Sequence, residues 1–293
     1  MIKQILAISS IVLFSSAIFA AEIIPYGSFN YKWSNDENSS GKTYSKLEDN
    51  GSSIGVEVID LGAEGDTITG FAKLEVGVDT DDSGSDTFDS KLAYVGLDSN
   101  MGSLSVGRQS HPFTDNIGGK TSIFNVYGGG SDWNYGSRSS NSMKYSTTQS
   151  GLTLDTIGIV DGSSTNTNAF DEFEVTISTK LLGSDISVGY ADDVNSDISY
   201  WGVAGSTDLG PLTVSSSYTI YDAATDKYGL EATASYSIFS VGYGDKEGTG
   251  LAYTAGVSHD LNDSVSVYAE GEMTDLDSGS DTTSWSIGSK FTF

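Results

Sequence analysis

SHPFTDNIGGKTSIFNVYGGGSDWNYGS, residues 110–137, is the stretch whose reading decides the rest. The segments on either side, SLSVGRQ (103–109) and RSSNSMKYS (138–146), alternate polar and apolar residues as half-buried strands do. The stretch between them does not alternate, and it is far longer than an ordinary hairpin connection. It carries Pro112, the pair Gly118–Gly119 and the run Gly128–Gly129–Gly130. It also holds an apolar middle, Ile123, Phe124, Val126 and Tyr127. A loop bathed only in water gains nothing from such residues. A loop folded back into an enclosed space does.

The rest of the chain has the pattern needed to enclose it. Short alternating segments recur with turn signals between them. Phe29, Tyr31 and Trp33 oppose Ser28, Asn30 and Lys32. Ile54, Val56 and Val58 oppose Glu57, and Leu74, Val76 and Val78 oppose Lys73, Glu75 and Gly77. Leu92 and Tyr94 oppose Lys91 and Ala93. The second half repeats this: Phe173 and Val175 oppose Glu172 and Glu174, and Val265 and Val267 oppose Ser266 and Tyr268. The last strand sets Trp285, Ile287, Phe291 and Phe293 on one face. There are about sixteen such segments, each of about ten residues, which is the signature of an antiparallel barrel. Tight turns such as Gly62–Gly65 and Gln149–Gly151 alternate with longer acidic ones such as Ser34–Gly51 and Asp79–Asp89.

Alternation alone would also suit a soluble sandwich. Here one face stays apolar from strand to strand, aromatic residues gather near strand ends, and the opposite face is charged. The fold class expected is therefore all-β: a transmembrane antiparallel β-barrel of about 16 strands with the long third loop folded into the lumen. Phe29, Tyr31, Leu74, Val76, Tyr94, Val175, Val214, Val265 and Phe291 are expected on the lipid face.

Residues 1–20 read as a secretory signal: Lys3, an apolar run from Ile5, then Ala20–Ala21 for cleavage. Residues 21–293 are the barrel, with the constriction loop at about 109–137. No later stretch is long and apolar enough for a spanning helix, and the chain has no cysteine, hence no disulfide framework. The formal net charge of −26 argues against nucleic acid and favours cations. Losing Lys3 makes the mature chain one charge more negative.

Enzymatic chemistry finds little support. Only His111 and His259 exist. Ser258, His259 and Asp260 are consecutive on a strand, so their side chains alternate and cannot form one triad. With two histidines and no cysteine, no transition-metal site and no cofactor is expected. Asp79, Asp81, Asp82, Gly84 and Asp86 resemble a calcium loop in spacing but lack its closing glutamate, so they read as an acidic outer loop. A surface adhesin or receptor, or less readily a barrel enzyme, is the alternative to a channel.

The ordered set YGSFNY, SSIGVEVIDLG, TITGFAKLEVGVD, KLAYVGLDSNMGSLSVGRQ, IFNVYGG and RSSNSMKY, with the terminal Phe293, resembles the general diffusion porins of Gram-negative bacteria over essentially the whole mature chain. The resemblance implies a homotrimer in the cell outer membrane. Its neighbours there are membrane lipid and lipopolysaccharide, and it passes small hydrophilic solutes and ions passively. It also implies a ladder of basic wall residues facing carboxylates on the loop, and by position Lys91, Arg108 and Arg138 fall where ladder residues lie. This chain departs at Ser53 and Glu57, where basic groups are common, and at Ser122 and Val126, where acids are expected. Only Asp115 and Asp132 are acidic in the loop, with Lys120 between them. Lys73, Glu75, Glu57 and Lys144 complete the expected pore lining. The expected pore is weakly cation-selective.

Overall fold

In a computed structural model, residues 21–293 are described except 64, 82–86, 134–135, 161–168 and 195. The expected leader, residues 1–20, and most of the calcium-like spacing lie outside the described residues.

The strands are β1 (Glu22–Glu37), β2 (Thr43–Asp49), β3 (Ser53–Leu61), β4 (Ile68–Val78), β5 (Phe88–Ser99) and β6 (Gly102–Ser110). After the long loop come β7 (Arg138–Gln149), β8 (Leu152–Ile159), β9 (Glu172–Leu181), β10 (Ser184–Asp193), β11 (Ile198–Leu209) and β12 (Leu212–Asp222). The chain closes with β13 (Lys227–Tyr236), β14 (Phe239–Lys246), β15 (Gly250–Asn262), β16 (Val265–Leu276) and β17 (Thr282–Thr292). From β3 onward each strand pairs antiparallel with the next, and β1 closes the ring against β17 with Phe29 opposite Phe291. The lower half of β1 pairs with β3 and its upper half with β2. β2 and β3 are thus one barrel strand broken at residues 50–52, which makes a closed barrel of 16 strands. Closure satisfies every ladder without a free edge, the condition for strands in hydrocarbon.

The outward face is apolar and unpartnered. Leu74, Val95, Leu97, Val106, Met143, Val241 and Phe291 are all exposed on it. Trp33 and Trp285 stack edge to face with centroids 5.2 Å apart. The inward face is small and polar, with Ser187, Ser217, Thr176 and Thr219 buried. Short turns close one end. Ser150–Gly151 and Leu182–Gly183 are two-residue turns in which both residues have positive φ, the twist-compatible hairpin geometry.

The register shifts at four places among the described residues, and at two of them the sequence reading fails. Glu75 pairs with Leu92 but Val76 pairs with Ser90, so Lys91 is the extra residue of a bulge. Beyond it, Tyr94 pairs with Lys73 and faces the lumen with it, while Ala93, Val95 and Leu97 face out. Tyr94 is therefore corrected from the lipid face to the pore wall. The second break follows Gly107.

Candidate functional site

The loop expected inside the barrel is inside it, and the wall is built to receive it. It opens with a helical turn, α1 (Pro112–Asn116), with Pro112 in its first turn, where a missing N–H costs nothing. A 3-10 turn, Gly118–Lys120, follows, with Lys120 at its end. Phe113 and Ile117 are fully buried and pack with Ala191, Tyr200 and Ala204. Room for them comes from wall glycines. A Cβ on Gly202 would lie 2.8 Å from Phe113 and 2.9 Å from Ile117, and one on Gly189 would lie 2.9 Å from Phe113. Phe124 uses the same device further round, against Gly242 and Gly256.

Wall carboxylates hold the loop backbone. Glu174 on β9 accepts the Phe113 N–H at 2.9 Å. Glu270 on β16 accepts the Asn125 N–H at 2.7 Å, its side-chain amide at 3.0 Å and the Val126 N–H at 2.9 Å. Glu272 accepts the Gly128 N–H at 2.9 Å, and Glu231 on β13 accepts from Gly129 and from the Thr121 hydroxyl. Each is a charge-assisted bond, stronger than a neutral one. At the tip, the Tyr127 hydroxyl donates to Asp36 on β1 at 2.9 Å, so the loop reaches from β6 across to β1. Burial, then hydrogen bonding to Asp36, push that phenol's pKa up. On the return, Asp132 accepts from Ser217 at 2.8 Å, and Lys246 lies 4.4 Å over the Trp133 ring while donating to Gly130 and Asp132 carbonyls.

The loop's hydrogen bonds run mainly to β8–β16, and the wall of β3–β7 carries charges of its own. On that wall Lys73 meets Glu57 at 3.4 Å and lies 4.8 Å over the Tyr26 ring, while the Tyr26 hydroxyl donates to Glu75 at 2.9 Å. Lys144 meets the loop's Asp115 at 3.7 Å. Burial raises the Asp115 pKa above the usual carboxylate range, with Lys144 pulling the other way. Lys91 is tied to the Gly51 carbonyl at 2.8 Å, at the break between β2 and β3. Ser122 is exposed on the loop.

The two arginines do not join this wall. Arg108 pairs with Ala93 and follows Leu104 and Val106 on the outward face; its guanidinium bonds the Ser90 carbonyl and the Ser140 hydroxyl. Gln109 and Ser139 pair and turn inward, which leaves Arg138 outward as well. Arg108 faces outward by the regular parity of Leu104 and Val106, whereas the extra residue on β7, beside Asn141 at φ 55, resets the parity of Arg138. Arg108→Ser is therefore expected to leave reversal potential unchanged, whereas Lys144→Ser should raise cation preference. Bilayer recordings in a salt gradient check both.

The grip of Glu174, Glu231 and Glu270 on the loop is not readable from the sequence. A glutamate on an inward position of a strand reads the same whether it meets water or backbone.

A 16-strand barrel carrying an inserted polar loop is the architecture of a channel-forming outer-membrane protein. The sequence matches the Gram-negative porin family model over residues 7–290, and the chain belongs to that family. It is a multi-pass β-barrel of the outer membrane. No curated protein matches the chain. Among solved structures, a loop-deletion mutant of OmpT, an outer membrane protein of Vibrio cholerae, superposes with a TM-score of 0.75 at 18% identity, covering 94% of this chain and 100% of that one. Salmonella typhi OmpF in complex with daunomycin gives 0.75 at 16%, covering 92% and 97%. A multiply substituted porin mutant of Rh. blastica gives 0.69 at 17%, covering 93% and 100%. At these identities the likeness is one of fold.

Proposed function

We propose that this porin is a water-filled channel for passive diffusion of ions and small hydrophilic solutes, with a weak preference for cations. The observation that carries the reading is the loop itself, gripped across the lumen from β9 to β16 and leaving a polar gap toward Lys73, Glu75 and Lys144. With both arginines facing outward, the basic side of that gap is reduced to lysines, of which Lys73 and Lys144 are each matched by a carboxylate. The net charge of −26 adds a negative potential at the mouths, discounted beyond a screening length of about 8 Å at physiological salt. Single-channel recording of reconstituted protein in a salt gradient tests the channel and its preference together. Steps of conductance with a cation-directed reversal potential are expected; a bilayer left silent would overturn the reading.

Residues 1–20 serve in this reading as a cleaved export leader. The barrel works as a homotrimer among lipid and lipopolysaccharide. OmpT, similar in fold, is described in a trimer form. A surface receptor role would use the outer loops and leaves the seated inner loop without a purpose.

Acid should weaken the cation preference. Asp115 has a raised pKa, so as pH falls it is protonated before ordinary carboxylates. Lys144 stays charged, the narrow zone becomes more positive, and the cation-to-anion permeability ratio drops. Asp115→Asn should show the low ratio at neutral pH and flatten this pH dependence; reversal potentials measured across an acid series check it.

A further inference from the structure

Two histidines and no cysteine gave no expectation of a metal site, yet the fold carries one histidine to a pair of wall carboxylates. We propose that His111, Glu172 and Glu174 form a divalent transition-metal site, of the zinc class, at the root of the inserted loop. One ligand atom from each lies within 4.8 Å of the others. His111 Nδ1 is 2.6 Å from Glu174 Oε1 and 3.4 Å from Glu172 Oε1. All three side chains are buried.

Glu172 points to a ligand. It is 1% exposed, and neither of its carboxylate oxygens has a hydrogen-bond partner among the described residues. A buried carboxylate in that state is costly unless a cation meets it. Its partners are already oriented. The second oxygen of Glu174 accepts the Phe113 N–H at 2.9 Å, and His111 Nε2 meets the Ser139 hydroxyl at 2.8 Å, leaving Nδ1 toward the carboxylates. Outer partners of this kind fix the orientation of metal ligands.

One imidazole nitrogen and two carboxylates suit zinc and its first-row neighbours, whereas calcium and magnesium take oxygen ligands. Ligand bonds of about 2.0–2.2 Å at a tetrahedral angle set ligand atoms about 3.3–3.6 Å apart. Nδ1 and Glu174 Oε1 would part by about 0.7–1 Å, whereas Glu172 Oε1, 3.4 Å from Nδ1, already stands at that spacing. Charge also favours the ion. Two carboxylates face one imidazole, while nearby Asp115 and Lys144 offset each other at 3.7 Å. A divalent ion with neutral imidazole balances the cluster; an imidazolium leaves it one charge short.

The test uses the intact barrel stripped with EDTA, incubated with zinc chloride and desalted, with zinc measured by atomic emission. Retention of one zinc per chain is expected, with affinity lowered roughly tenfold or more in Glu172→Gln and His111→Ala. No retention by the parent, or equal retention in the variants, which would mean binding at surface acids, overturns the proposal. Should the variants not fold, cobalt-loaded parent decides: visible bands of four-coordinate nitrogen and oxygen ligation support the site, and their absence overturns it.

Discussion

Deletion of Gly119–Gly128 is expected to raise single-channel conductance severalfold. These residues carry Phe124, Asn125, Val126 and Tyr127, and they bring the loop from β9 to β1. The wall does not depend on them for its ladders, which close strand to strand around the ring. Cutting them out removes the obstruction while leaving its frame. The residues left at the root, His111 to Ile117, keep their own anchors in Phe113 and Glu174. Conductance recordings of the deletion and the parent in the same salt check this; equal values would mean that the loop is not what narrows the pore.

The second large effect should come from Glu270→Ala. One carboxylate accepts three loop N–H groups, from Asn125, Val126 and Tyr127, and a side-chain amide. Hydrogen bonds to a charged group contribute roughly 1.5–3 kcal/mol each, but the freed donors can turn to lumen water, so the loss of loop anchorage is expected at about 3 kcal/mol in total. The barrel should stay folded while the loop tip comes loose. Because the chain has no cysteine, Ser122→Cys gives a single attachment point for a spin label on an exposed loop position. The label should be immobilised in the parent and mobile with Glu270→Ala, with noisier open-channel current. Glu270→Gln keeps one acceptor oxygen and should fall between them.

The barrel was legible because a two-residue period is a strong signal wherever one face meets lipid and the other water. Phe29, Leu74 and Phe291 lie where that period puts them. The inserted loop was legible from Phe124 and its apolar neighbours, which needed cover. Arg108 lies on the outward parity of Leu104 and Val106, so the period itself places it there, but Tyr94 and Arg138 were misplaced for one physical reason. A bulge adds a residue to one strand, and every side chain beyond it changes face. Lys91 and the break after Gly107 leave no mark in composition that distinguishes them from regular strand. The grip of Glu174, Glu231 and Glu270 on the loop was hidden too, because it joins residues 61 to 145 positions apart and no local pattern encodes that distance. The meeting of His111 with Glu172 and Glu174 is of the same kind.

The notches cut by glycine into the inner wall have a consequence in time. The loop leaves the chain at residue 110, but Gly189, Gly202, Gly242 and Gly256, which make room for its aromatic rings, all come later, as do the glutamates that hold it. A growing sheet that has formed only β1 to β8 offers the loop nowhere to rest. Its seating must follow the pairing of strands far downstream, and contacts of such sequence separation form slowly. During assembly the channel is therefore wide before it is narrow, and its calibre is set last, by the half of the chain that does not contain the loop.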